Sequence, residues 1–426
     1  MPRLVVRSTR LLAVLVALEL LAGVASTFAL QPAPRRAAAT LRAAVPHEDP
    51  RAAAVQALLT ARADAITRHD RAAWLATVDP TATAFAARQA RLFDALQSVP
   101  VQGWTYELDP ERTQPANPAV DSRRGDGWWG PAVTLRYRLA GFDSVPTAEP
   151  QHLTFVPRGD RWYVAADDDF ADRTSRGLWD EGPVTVVRGR SSLVLGHPSS
   201  ATLMRTVADA VDAAVPRVTA VWGTAWSRKV VVLVPSTQRE LQRLVGGAGD
   251  FSRIAAVATA ELTGSRPVGD RVIINPPNFR QLGALGRRVV LTHEVTHVAT
   301  RAATGNATPT WLVEGFADYI GYLGADVSSR VAAQELRVQV RRGRLPATLP
   351  ADVDFDGGNA RLAQVYEQAW LAAVLLARRY GSAKLVAFYR AVGSGLTVDA
   401  ALQRVLGTDL ARFTRDWRRD LQARLA

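Results

Sequence analysis

Two histidines and a glutamate, His293, Glu294 and His297, carry the most specific chemistry in this 426-residue chain, which holds only 6 histidines. In a helix, residues four apart share a face, so both imidazoles point at one ion. Glu294 then stands one step round, beside the ion and not on it. That is where a base is needed to take a proton from metal-bound water. The apolar neighbours Val289, Val290, Leu291, Val295 and Val298 predict that this helix is buried. A buried helix ordinarily avoids such polar groups, because leaving them unpaired costs on the order of several kcal/mol. A second segment, Thr310 to Tyr319, offers Glu314 as a third ligand and Asp318 four residues later on the same face. Two imidazoles and a carboxylate with no thiolate suit an open catalytic site better than a closed structural one.

The pair H-E-x-x-H and E-x-x-x-D, with 16 residues between His297 and Glu314, resembles the gluzincin branch of the zinc metallopeptidases. The context T-W-L-V-E-G-F-A-D-Y is similar to the peptidase-MA-like group within it. The gap is slightly shorter than in thermolysin-like members, which bears on the loop between the two helices. Metzincins do not fit, because their longer motif needs Gly and His where this chain has Thr300 and Ala303. The resemblance implies Zn²⁺ on His293, His297 and Glu314, Glu294 as general base, and a peptide or protein substrate. It also implies that Asp318 accepts a hydrogen bond from the other ring nitrogen of one histidine, most simply His293. A tyrosine at the position of Tyr366 is a candidate oxyanion donor in such enzymes; on sequence alone Tyr366 is equally a core tyrosine.

The elements that must position these residues follow from hydrophobic period. The expected fold class is α+β, with a small mixed sheet before the motif helix and a helical lobe over residues 361–426 after it. Val184 to Arg188 and Ser192 to Leu195 read as a hairpin turning at Gly189 and Arg190. A long amphipathic helix covers Ser200 to Trp222, and Lys229 to Pro235 is a buried strand before a helix at Gln238 to Val245. Ile254 to Ala260 and Arg271 to Asn275 complete the sheet. The first of these is either an inner strand or the edge strand that binds substrate backbone in gluzincins. Val327 to Val340 reads as one helix, and residues 341–359 as a Pro-, Gly- and Asp-rich excursion. Four further helices follow, with Gly381 and Gly407 as C-caps.

The expected domains are a signal anchor or signal peptide at 1–30, a linker at 31–50, an α+β domain at 51–172 and the gluzincin-like domain at 173–426. Arg3, Arg7 and Arg10 precede an apolar run from Leu11 to Leu30, long enough for one membrane span. The length favours an uncleaved anchor with the catalytic domain extracytoplasmic. Ala25 and Ala29 leave room for cleavage, which would make the protein secreted. In residues 51–172 two helices precede four strand-like runs. The pattern R-x-x-A-I-x-x-x-D-x-x-x-W from Arg62 to Trp74, with G-D-R-W-Y-V-A from Gly159, resembles the NTF2-like cone fold. Trp104, Tyr106, Trp128, Trp129 and Tyr137 line a pocket there or form the core of a small sheet. Asp167, Asp168 and Asp169 read as a solvated turn in preference to a cation site.

Composition bounds the rest. The absence of cysteine excludes disulfides and thiolate metal sites. The net charge of +12 comes mainly from scattered arginines, with no basic run interleaved with aromatics. Nucleic acid is therefore not an expected partner, and attraction to an anionic membrane or cell-wall surface accounts for the charge at least as well. The competing functional readings are a membrane-tethered binding protein on a zincin scaffold with little turnover, and a purely structural zinc domain.

Overall fold

The computed structural model describes residues 49–125, 127–170, 174–246, 254–263 and 266–426. The proposed anchor and nearly all of the linker lie outside these residues. No helix among the described residues is long and apolar enough to cross a membrane. The chain is mixed α+β and divides into two compact units between Val184 and Thr185.

The N-terminal unit opens with helices α1 (Pro50–Thr67), α2 (Arg71–Leu75) and α3 (Thr83–Leu96). Asp49 caps α1, with Pro50 in the first turn, where a missing N–H costs nothing. Strand β1 (Val101–Thr113), helix α4 (Pro118–Arg124), strands β2 (Pro131–Leu139), β3 (Thr147–Gln151), β4 (Thr154–Arg158) and β5 (Arg161–Ala166), and the short α5 (Leu178–Glu181) follow. The strands form an antiparallel sheet in the order β1-β2-β3 and a separate β4-β5 ribbon. The motif from Arg62 to Trp74 has a physical basis. The Arg62 guanidinium lies 3.4 Å from the centre of the Trp74 ring and donates to Thr77 Oγ1 at 2.8 Å, while Asp70 caps α2. Trp104, Trp129 and Tyr137 are buried, and Trp104 stacks on Tyr137 at 5.5 Å, so these three are core. Tyr106 and Trp128 are half-buried, Trp128 donating its indole N–H to Asp121.

Of Asp167 to Asp169, expected as a solvated turn, only Asp168 is exposed. Asp167 is held by Arg88 and Arg176, and Asp169 by Arg123, Arg124 and Thr154. Guanidinium groups take the place the cation reading gave to a metal.

The second unit begins with strands β6 (Thr185–Arg188) and β7 (Ser192–Gly196), helix α6 (Ala201–Trp222), strand β8 (Val230–Val234), helix α7 (Gln238–Val245), and strands β9 (Ala256–Thr263) and β10 (Arg266–Ile274). The five-stranded order is β6-β7-β8-β10-β9; β7, β8 and β10 are parallel and the two outer strands antiparallel to their neighbours. Among the described residues strand β9 is thus an edge, which removes the inner-strand reading of that run. Strands β7 and β8 are apolar nearly throughout, as are Val272, Ile273 and Ile274 of β10, as burial on both faces requires. Helix α6 supplies the buried stripe Leu203, Val207, Val211, Ala214, Val218 and Trp222 to the core of this unit, Trp222 meeting Phe316 and Tyr389 edge-on.

Helices α8 (Pro276–Gln281), α9 (Ala284–Thr300), α10 (Thr310–Tyr322), α11 (Ser329–Ala332), α12 (Gln334–Arg341), α13 (Leu362–Tyr380), α14 (Ser382–Gly393), α15 (Val398–Ala401) and α16 (Leu410–Leu425) complete the unit. The expected single helix over 327–340 is two, broken at Ala333. The Glu367 carboxylate on α13 accepts from the Glu335 and Leu336 N–H groups, capping a fresh helix start at α12. Gly381 and Gly407 close α13 and the turn after α15 at positive φ.

Candidate metal centre

Helix α9 is buried around most of its circumference, from Val289 to Thr300. Its threonines satisfy themselves locally: Thr292 and Thr296 donate to the carbonyls four residues back, at 2.7 Å each. The polar load of the helix therefore narrows to His293, Glu294 and His297. Glu294 is fully buried, His293 is 4% exposed and His297 is half-buried.

The third member of the cluster, a carboxylate, arrives on α10. Glu314 lies 2% exposed and its Oε2 stands 3.3 Å from His293 Nε2 and 3.4 Å from His297 Nε2. The two Nε2 atoms are 2.8 Å apart, with the rings at 72°. Ligand atoms about 2.0–2.1 Å from a tetrahedral ion stand about 3.4 Å from one another. The two nitrogen–oxygen separations match that spacing, and the nitrogen–nitrogen one is shorter. This donor set fits a metal ion.

Asp318 completes the arrangement from behind. Its Oδ1 accepts from His293 Nδ1 at 2.8 Å, which leaves the Nε2 lone pair facing His297 and Glu314. Burial alone would raise the Glu314 carboxyl, but His297 and His293 hold it well below the usual carboxylate range.

Helix α10 delivers Glu314 because Gly315 lets it approach α13. A Cβ at Gly315 would lie 2.3 Å from the Ala369 carbonyl oxygen. A second close approach pins the loop between the ligand helices: a Cβ at Gly305 would lie 2.5 Å from the Gly393 carbonyl oxygen. Tyr366 sits on α13, 3% exposed, with its ring edge-on to Phe355 at 5.3 Å.

Three residues near the site were not singled out from sequence. Tyr322 extends the α10 row of Glu314 and Asp318 by another four residues; burial, with the nearby Asp318 and Glu367 charges, pushes its hydroxyl up. Glu367 is 2% exposed, and burial pushes its carboxyl up to about 8 against the pull of two backbone N–H groups. Arg301 extends the α9 row of His293 and His297 in the same way, and its guanidinium donates to Asp270 Oδ1 and to the Ala258 carbonyl, both at 3.0 Å. Continuing the four-residue spacing past each motif would have found Tyr322 and Arg301. Glu367 has no local signal.

No curated protein matches the chain. Among solved structures it is similar to native yeast LTA4 hydrolase, at 13% identity and a TM-score of 0.31, covering 77% of this chain and 59% of that one. It is also similar to yeast LTA4 hydrolase in complex with Bestatin, at 13% identity and a TM-score of 0.30, covering 77% and 50%. The chain thus spans between 50% and 59% of the length of those matched chains. Residues 271–423, which include His293, Glu294, His297, Glu314, Asp318 and Tyr366, match the family model of the Peptidase MA superfamily.

Proposed function

We propose that this protein is a zinc-dependent metallopeptidase of gluzincin type, hydrolysing peptide bonds in a peptide or protein substrate. The observation that carries the reading is the convergence of His293, His297 and Glu314 from two helices, with Asp318 fixing one imidazole. The match to the Peptidase MA superfamily over the same residues supports it.

His293, His297 and Glu314 would hold Zn²⁺, which supplies a Lewis acid and lowers the pKa of a bound water to about 7. Asp318 keeps His293 in the tautomer that presents Nε2, and its charge raises the basicity of that nitrogen. Glu294 is the general base: it takes the proton from the attacking water and returns it to the departing amine. Tyr366 is assigned to the developing oxyanion, to which its hydroxyl would donate.

Beyond the site, we assign residues 51–172 to an NTF2-like α+β domain and residues 1–30 to an export segment. That segment would leave the catalytic unit extracytoplasmic, on a single-pass anchor or secreted after cleavage. The helices-then-strands order of the N-terminal unit and the basic flank before Leu11 support these assignments.

The test is direct. Residues 31–426 are expressed, bound zinc is measured, and Glu294→Ala is compared with the native sequence on a peptide library. Retained zinc with lost proteolysis is the expected result. Equal activity in the two proteins would remove Glu294 from the mechanism, and turnover by neither would favour the tethered binding protein.

A further inference from the structure

The edge strand β9 does not present a uniform free edge. Ile254 to Ala258 are buried, whereas Thr259 and Ala260 are half-open to solvent. The direction of the backbone groups explains which contacts close it. Asn275 N–H donates to the Ala255 carbonyl at 2.8 Å, so Ala255 points its carbonyl towards β10. In an antiparallel pair the pointing alternates, so Ile254, Ala256, Ala258 and Ala260 aim outward. Two of those outward carbonyls are occupied by side chains. The Ile254 carbonyl accepts from Asn278 Nδ2 at 2.6 Å, and the Ala258 carbonyl accepts from Arg301 Nη2 at 3.0 Å.

Arg301 is placed to do more than cap a carbonyl. It sits four residues beyond His297, at the end of the helix that carries both histidines. Its Nε is bonded to Asp270 Oδ1 on β10, beside the bulge between Val268 and Arg271. One guanidinium therefore ties the ligand helix to the edge strand β9 and to its neighbour β10. Asp270 orients it, and the planar fork lets two acceptors be held at once. Arg301 remains 27% exposed, so the tie lies at the boundary between the closed and open parts of the strand.

We infer that Arg301 is a positioning residue that closes the edge of β9 at Ala258 and sets Ala260 as the first point where an extended peptide can add to the sheet. This inference rests on the peptidase reading for the identity of the occupant, an extended peptide backbone adding as a strand. The closure itself stands on the bonds to Ala258 and Asp270. It implies that the distance between the metal centre and the first backbone pairing is fixed by a side chain on the ligand helix. Substrate register would then be built into the motif helix, independent of any side-chain pocket.

The experiment separates the two layers. Amide hydrogen exchange is followed over residues 254–260 in the full chain, in Arg301→Ala and in Arg301→Lys, with zinc content measured on the same samples. Release of the edge in Arg301→Ala should speed exchange over that stretch about tenfold, with Arg301→Lys intermediate, since a charged hydrogen bond is lost outright in one and kept in part in the other. Unchanged exchange in Arg301→Ala overturns the inference, whatever the protein's activity. In parallel, a fluorescein-labelled β-forming pentapeptide hydroxamate is titrated by anisotropy. The expected result is equal zinc content, about tenfold weaker binding in Arg301→Ala and partial recovery in Arg301→Lys. Zinc bound equally with identical hydroxamate affinity in all three proteins sinks the substrate-register claim. No zinc and no hydroxamate binding in the native sequence would sink the peptidase reading instead, with the exchange result still deciding the role of Arg301.

Discussion

Gly315→Ala is a one-carbon change next to a proposed ligand, and the structure sets its cost. The added Cβ would meet the Ala369 carbonyl oxygen at 2.3 Å and its carbon at 2.6 Å. Both are backbone atoms of α13, so neither can swing aside; helices α10 and α13 must separate by about 1 Å to restore ordinary contact. Overpacking of this kind costs about 1–3 kcal/mol. Alanine's better helix propensity returns about 0.5–1 kcal/mol, leaving a net loss of about 1–2 kcal/mol. For a unit of this size that corresponds to a fall in Tm of roughly 2–8 °C. The same shift carries Glu314 away from His293 and His297, so zinc affinity should fall about tenfold or more. Differential scanning calorimetry and zinc titration against a competing chelator measure both. Gly321→Ala is the control, because its Cβ would stand 3.1 Å from the Val289 carbonyl oxygen, a contact small adjustments can absorb. Full Tm and full zinc affinity in Gly315→Ala would refute the claim that helix spacing delivers the third ligand.

The other predictions concern side chains. Asp318→Ala frees the His293 ring and should weaken zinc binding about 10–100-fold with little change in fold, read by chelator competition. Tyr366→Phe should lower kcat by about 10²–10³ with KM nearly constant; an unchanged kcat returns Tyr366 to the core. Glu367 gives a pH dependence with a definite sign. Its folded carboxyl holds a proton up to about 8, where the unfolded one lets go near 4.5. Its contribution is therefore complete below pH 4.5 and is lost as pH rises towards 8, by a few kcal/mol in order of magnitude. Denaturation midpoints at pH 5 and pH 8 should converge in Glu367→Gln, and equal pH slopes in the two proteins would count against a raised Glu367.

What could be read from sequence was what local spacing controls. The three proposed ligands and Asp318 lie on two helices whose period is plain in the chain, and the structure gathers them. Most sheet and helix runs also appear where hydrophobic period places them. The misses have long-range causes. Strand β3 carries Pro150 and few β-branched residues, and it is recruited by pairing with β2. Helix α12 starts afresh because Glu367, over thirty residues away, takes its first N–H groups. Asp167 to Asp169 read as a turn because their arginine partners lie as far as Arg88. Whether the Ile254 to Ala260 run was an edge depended on strand order, which no local pattern encodes.

The pinch between Gly305 and Gly393 bears on how divisible this unit is. A Cβ at Gly393 would lie 1.8 Å from the Ala303 carbonyl oxygen, so the end of α14 is an abutment against the loop that joins the two ligand helices. A chain cut after α13 would keep every proposed metal ligand and lose the support that holds their connection. The C-terminal helices are therefore not an appended module that can be trimmed or exchanged; the support of the candidate metal centre extends, mechanically, to residues some eighty positions beyond its last proposed ligand.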